Sequence, residues 1–159
     1  MNVRGVLLWG FAGTTILTTI MRTAQALGRT RVDLPLMLGL MFTANRDRAK
    51  VYGFLVHLAN GWVFAFIYAT VFDQFRKATW WIGTLIGVVH AMFVLVIGMS
   101  LLPGLHPRMA TDARGPQPTL ELEPPGFLAM NYGRQTAIVT VLAHLVFGAV
   151  LGTFYRVRR

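Results

Sequence analysis

Three of the four histidines in this chain, His57, His90 and His144, lie inside long apolar runs, where an ionisable side chain is costly and is a functional candidate by default. An imidazole there can bind haem iron or a transition metal, or it can hydrogen-bond a neighbouring helix. Other chemistry is scarce. Cysteine is absent, which excludes disulfides, thiolate metal sites and cysteine nucleophiles. Ser100 is the only serine and has no adjacent base. The chain has no phosphate-binding glycine loop, zincin motif or nucleophile elbow. All six acids (Asp33, Asp47, Asp73, Asp112, Glu121, Glu123) lie outside the apolar runs, so a carboxylate relay for proton or ion transport is missing. Met37 and Met41, with His106 and Met109, have the soft donors that suit Cu(I), although methionines on a short apolar helix more often serve packing. These absences point away from an enzyme.

The spacing around the three histidines is informative. His57, Gly61, Ala65 and Ala69 recur every four residues, as do His144, Gly148 and Gly152; Gly83, Gly87 and Ala91 do the same, with His90 three beyond Gly87. Such small-residue seams let membrane helices approach closely. Gly10, Thr14, Thr18 and Arg22 repeat the period in the first run. With Trp9, Tyr68, Trp80 or Trp81, and Tyr155 placed at one interface, His57 and His144 fall about 16 Å below their tyrosines and His90 about 14 Å below Trp81 at 1.5 Å per residue. Thr18 and Thr19 reach the same depth. The pattern predicts an inward-facing polar cluster. In its commoner form, each neutral imidazole donates to a threonine hydroxyl or a carbonyl of a neighbouring helix. In the alternative, His57, His144 and His90 are cofactor ligands, two of them holding haem b axially or a bare metal. Gly61, Gly87 and Gly148 serve either case, clearing space for a porphyrin or packing tightly.

The elements that position these residues follow from composition. With 55% hydrophobic and 13% charged residues, the chain is too apolar for an ordinary soluble domain. Four segments, about 5–27, 51–72, 80–102 and 136–155, are long enough to span a bilayer. The expectation is all-α: one membrane domain over 1–159, built as a four-helix transmembrane bundle. Arg4, an apolar run and Ala24-Gln25-Ala26 imitate a signal peptide. That run exceeds a typical apolar core and Arg22 interrupts its end, so it reads as a retained helix. Arg22 itself reads as snorkelling to the headgroups.

Between the first two spans, "DLPLMLGLMF" (33–42) is too short to cross and reads as a re-entrant or interfacial helix, with Asp33 as N-cap and Pro35 in the first turn. Asn45 caps the next helix. The short link "DQFRKAT" predicts that the second and third spans are antiparallel neighbours. Pro103 closes the third span and begins a long irregular loop, about 103–135, whose middle is Pro-rich. The motif His57-Leu58-x-x-Gly61 with Tyr68 recurs as His144-Leu145-x-x-Gly148 with Tyr155, as in two hairpins related by an axis along the membrane normal.

The net charge of +9 arises from cations at the ends of apolar runs, so lipid phosphates, not nucleic acid, are the expected counter-ions. Arg4, Arg76, Lys77, Arg156, Arg158 and Arg159 gather in short segments on the side of the termini. That side is assigned to the cytoplasm.

The stretches "GTTILTTIM", "DLPLMLG", "GFLVHLANGWVFAFIYA", "GVVHAMFVLVIGMSLLPGLHP", "GFLAMNYG" and "AHLVFGAVLGTFY" cover most of the chain. In them it resembles an uncharacterised family of small bacterial four-helix integral membrane proteins, a domain of unknown function. The match includes His57, His90, His106 and His144, and it departs at "RMATDARGPQPTLELEPP", a longer link than the family pattern. The resemblance implies the fold and no activity. The functional expectation is an accessory, assembly or interaction subunit of a bacterial inner-membrane complex, with the lipid bilayer and other membrane subunits as partners. The alternative is a haem- or metal-binding membrane protein; a small-molecule or ion transporter ranks below both.

Overall fold

The computed structural model describes residues 1–111 and 122–157. Helix α1 (Val3–Ala26) leads to a short α2 (Leu34–Gly39), then α3 (Arg46–Gln74). The third long helix comprises α4 (Trp80–Met92), a π-helical turn (Phe93–Gly98) and α5 (Met99–Leu105), and a 3-10 helix (Phe127–Tyr132) precedes α6 (Thr136–Phe154). The described residues are all-α. Their one extended pairing is an isolated bridge between Met109 and Leu122. Val3–Ala26, Arg46–Gln74, Trp80–Leu105 and Thr136–Phe154 are each long and apolar enough to cross a membrane. Their outward faces carry exposed Leu8, Leu55, Val63, Val89 and Ile138, apolar surface that suits lipid contact.

Local sequence sets where the helices start. The side chains of Asn2, Asp33, Asn45 and Thr79 each accept a hydrogen bond from a first-turn N–H that has no partner within its own helix. Asp33 has a second role: its other oxygen pairs with Arg22 at 2.8 Å, tying the end of α1 to the start of α2. Arg22 is therefore half-exposed and ion-paired.

Glycines close the bundle along three lines. Between α4 and α6, a Cβ on Gly83 would stand 1.9 Å from the Gly148 carbonyl oxygen, and one on Gly152 would stand 2.2 Å from that of Thr79. Between α1 and α3, Gly61 lies against Thr14 and Gly10 against Ala65. Between α2 and α3, Gly53 meets the Pro35 carbonyl and Gly39 that of Ala49. Helix α1 also packs on α6, where Gly13 faces Phe147. Gly87 and Gly148 are thus taken up by backbone contacts between α4 and α6, whereas Gly61, packed on the Thr14 side chain, also lines the cavity described below.

One expectation is refined and one corrected. Helices α3 and α4 run antiparallel and meet through side chains, Phe64 and Tyr68 on His90, but without the close backbone approach their short link suggests, because α4 is drawn onto α6 by its glycine face and α1 lies against α3. Pro103 does not close the third helix. It lies inside α5, which runs to Leu105, and the His106 N–H bonds the Leu102 carbonyl at 2.8 Å.

The end of α1, α2 and the described parts of 103–135 are knitted together at one end of the bundle. The Arg31 N–H donates to the Tyr132 carbonyl at 2.7 Å, and the Thr30 and Thr136 hydroxyls lie 2.7 Å apart. The Arg31 guanidinium also meets the Asn131 carbonyl and the Glu123 carboxylate. The Pro-rich middle of the loop, 112–121, lies outside the described residues, as do Arg158 and Arg159. At the opposite end, the Asn2 N–H donates to the Tyr155 hydroxyl at 3.0 Å, and that hydroxyl donates to Asp73 at 3.0 Å. The helices therefore alternate in direction, and the start of α1 and the end of α6 lie at the same end of the bundle.

Candidate functional site

His57, His90 and His144 line a single cavity of about 350 Å³. Helix α3 contributes His57, Asn60 and Phe64; α4 contributes His90; α6 contributes Thr140 and His144. The π turn adds Phe93 and Gly98, and α2 adds Met37 near the knitted end. A π-helical turn holds one extra residue and often marks a functional site. Here it occupies the stretch of the third helix that faces the cavity. Apolar surface dominates the walls, with a few polar groups converging, the usual make-up of a small-molecule pocket.

The cavity reaches the outer surface of the bundle. Asn60 and Phe93 line it and are also exposed on the outside, between α3 and the third helix. This opening is where the backbones of α3 and α4 stand furthest from close packing. Side chains alone bridge the gap: Phe64 stacks on His90 with ring centroids 3.6 Å apart, and the Tyr68 hydroxyl lies 3.4 Å from His90 Nδ1.

The three imidazoles differ in their bonding. His144 Nδ1–H donates to the Thr140 carbonyl one turn back at 2.7 Å, which leaves Nε2 of the neutral ring as an acceptor. Among the described residues, His90 is bonded only through Nδ1. His57 Nε2 is sealed from solvent and has no partner among the described residues; Thr15 Oγ1 is the other buried atom in that condition. The threonines expected to receive the histidines bond back along their own helix: Thr14 to Gly10, Thr18 to Thr14 and Thr19 to Thr15. Among the described residues, His90 alone of the three imidazoles bonds across to another helix, and its partner is a tyrosine.

Tyr68 faces inward: it is 1% exposed and edges against Phe147 at 5.4 Å. The three histidines placed from it and its counterparts do meet across one cavity.

The geometry does not fit haem between His90 and His144. Their rings meet edge to face with centroids 4.5 Å apart, and Phe64 covers one face of His90, so no macrocycle fits between them. Among the described residues, no group of three or more His, Asp or Glu side chains is placed to hold a metal ion. The Met37 and His106 pairing is structural. His106 is fully buried; its Nε2–H donates to the Met37 carbonyl at 2.9 Å and its Nδ1 accepts from the Arg108 N–H at 3.1 Å.

Asn60, Phe64 and the π turn did not stand out in the sequence. Asn60 and Phe64 continue the stripe of His57 at helical spacing, and that signal was available. Nothing in "FVLVIG" announces a π turn. No family model, curated protein or solved structure matches this chain.

Proposed function

We propose that this chain is a multi-pass protein of a bacterial inner membrane that serves as a non-catalytic accessory or assembly subunit. Its own contribution to such a complex is the lateral cavity, which holds a small lipid-soluble molecule. The observation that carries this reading is the separation of α3 from α4 over the histidine cavity. Small residues bring α4 onto α6 and α2 onto α3 to backbone distance and let α1 pack closely on α3 and α6, so a seam left open at bilayer depth, with Asn60 at its mouth, calls for an occupant.

The accessory role is supported by the scarcity of catalytic groups in the chain and by polar side chains that converge on one apolar cavity. The likeness to the uncharacterised four-helix family agrees with this placement and adds no activity. Arg4, Arg76, Lys77 and Arg156 at the end holding the termini support a cytoplasmic location for that end. Helix α2, with Asp33 as its cap and Phe42 exposed just beyond it, is read as interfacial.

Native mass spectrometry of the protein released from bilayer nanodiscs tests the binding role. A small molecule retained at one per chain in the wild type and lost in Gly98→Leu is the expected result. A Cβ at Gly98 meets nothing nearer than the Phe93 carbonyl at 3.9 Å, so a longer side chain there enters the cavity without displacing a helix. A chain recovered free of both ligand and partner subunits would refute the reading.

A further inference from the structure

The chemistry of the cavity walls narrows what it can hold. Among the described residues, no lysine, arginine, aspartate or glutamate lines it, so neither an anionic headgroup nor a cation would find a counter-charge there. Burying an unpaired charge in such a medium is prohibitive. The occupant is therefore neutral. Entry lies between α3 and the π turn, at Asn60 and Phe93, on the face turned to lipid. The occupant consequently arrives from the bilayer, and any long tail it carries can remain there.

The polar groups at the inner end ask for hydrogen bonds of both kinds. His144 Nε2 offers a lone pair, because its Nδ1–H is fixed on the Thr140 carbonyl. Asn60 offers a carbonyl and an NH₂ at the mouth, and it makes no hydrogen bond to the described residues. The unpartnered His57 Nε2 is a buried polar atom whose isolation costs roughly 1–3 kcal/mol. Nε2 is closed off by its own neighbours, so the imidazole must turn toward an entering hydroxyl, and the hydrogen bond then made removes that penalty. Around these groups stand the rings of Phe64, Phe93 and Phe147, which favour a flat aromatic body.

From this combination we infer that the cavity binds the ring of a lipid-soluble quinol. The hydroxyls would bond His57 and His144, the ring would lie among the phenylalanines, and the tail would leave past Asn60 into the bilayer. This inference rests on the lateral-cavity reading above and adds the ligand class.

Equilibrium binding to the full chain in phosphatidylcholine nanodiscs tests it, with four probes: radiolabelled decylubiquinol kept reduced, decylubiquinone, dioleoylglycerol and dioleoylphosphatidylglycerol. Saturable binding of the quinol at one per chain is expected, tighter than the quinone and weakened about tenfold or more by His57→Leu, the scale of one lost hydrogen bond. Gly98→Leu, which keeps every histidine, should abolish it. Saturable binding of either glycerolipid but not of the quinol, still sensitive to Gly98→Leu, would overturn the ligand class and leave the cavity reading standing. Saturation by none of the four, or binding indifferent to Gly98→Leu, would overturn both.

Discussion

Phe64 lies almost parallel to His90 across the gap between α3 and α4, with ring centroids 3.6 Å apart and an interplanar angle of 22°. This stack, with the Tyr68 hydroxyl at His90 Nδ1, spans a seam where the backbones stand apart. It makes one face of His90 a wall of the bundle and leaves the rest of the ring toward the cavity. The same contact leaves no place for a macrocycle on that face.

The glycine seams set which helices touch. Gly83→Ala and Gly148→Ala should each destabilise the bundle by about 1–3 kcal/mol, the usual cost of overpacking. In both cases the new methyl would stand about 2 Å from a carbonyl oxygen on the facing helix, 1.9 and 2.0 Å respectively. Gly98→Ala, with open space around its Cβ, should leave stability nearly unchanged. Thermal or denaturant unfolding of the three variants in one detergent makes the comparison.

His57 is held at a cost to the fold. Because its Nε2 has no partner, His57→Leu should raise stability by about 1–2 kcal/mol while weakening ligand binding. The unfolding midpoint of the ligand-free protein is the readout, and a fall in the midpoint would show that the imidazole is structurally satisfied.

His106 pins α5 to α2. His106→Ala removes a buried ring that bonds the Met37 carbonyl and the Arg108 N–H, at an expected cost of about 1–3 kcal/mol. The loss should be local. Amide exchange should accelerate over α2 and the adjoining 106–111, with little change in the α4 and α6 amides near Gly83 and Gly148.

Tyr132 gives a pH signature at the same end. Burial pushes its phenol up to about 12 from an ordinary 10.0; the Glu123 carboxylate adds to the rise and Arg31 opposes it. Between those values the unfolded chain loses this proton and the folded chain keeps it. Stability from this group is therefore unchanged below about pH 10 and falls as pH rises toward 12. Tyr132→Phe should flatten that part of the stability profile, and phenolate absorbance should lose its latest-titrating component among the residues outside the spans.

The inward convergence of His57, His90 and His144 was legible because two independent regularities agree: the four-residue seams fix the facing of the imidazoles, and apolar length fixes their depth. The caps at Asp33 and Asn45 were legible for a local reason, since each needs only its own side chain and the N–H groups of the following turn. The separation of α3 and α4 was not. A link as short as 75–79 suggests close neighbours, and only the competition between glycine faces shows that α4 prefers α6. The inward facing of Tyr68 was not legible, because an aromatic near the end of an apolar run suits an interface and a core equally well. The structural role of His106 was not legible, because its partner, the Met37 carbonyl, is brought beside it only by the fold.

The account turns on a cavity open to lipid between α3 and the third helix. The most direct measurement is carbene labelling with a membrane-soluble diazirine, mapped by peptide mass spectrometry on the full chain in bilayers. Labels are predicted on outward residues such as Leu55, Val63 and Val89, and also on cavity walls that are otherwise buried, notably Leu17, Met99 and Phe147. Gly98→Leu should erase the second set alone. Labels confined to the outward residues in the wild type would contradict the account.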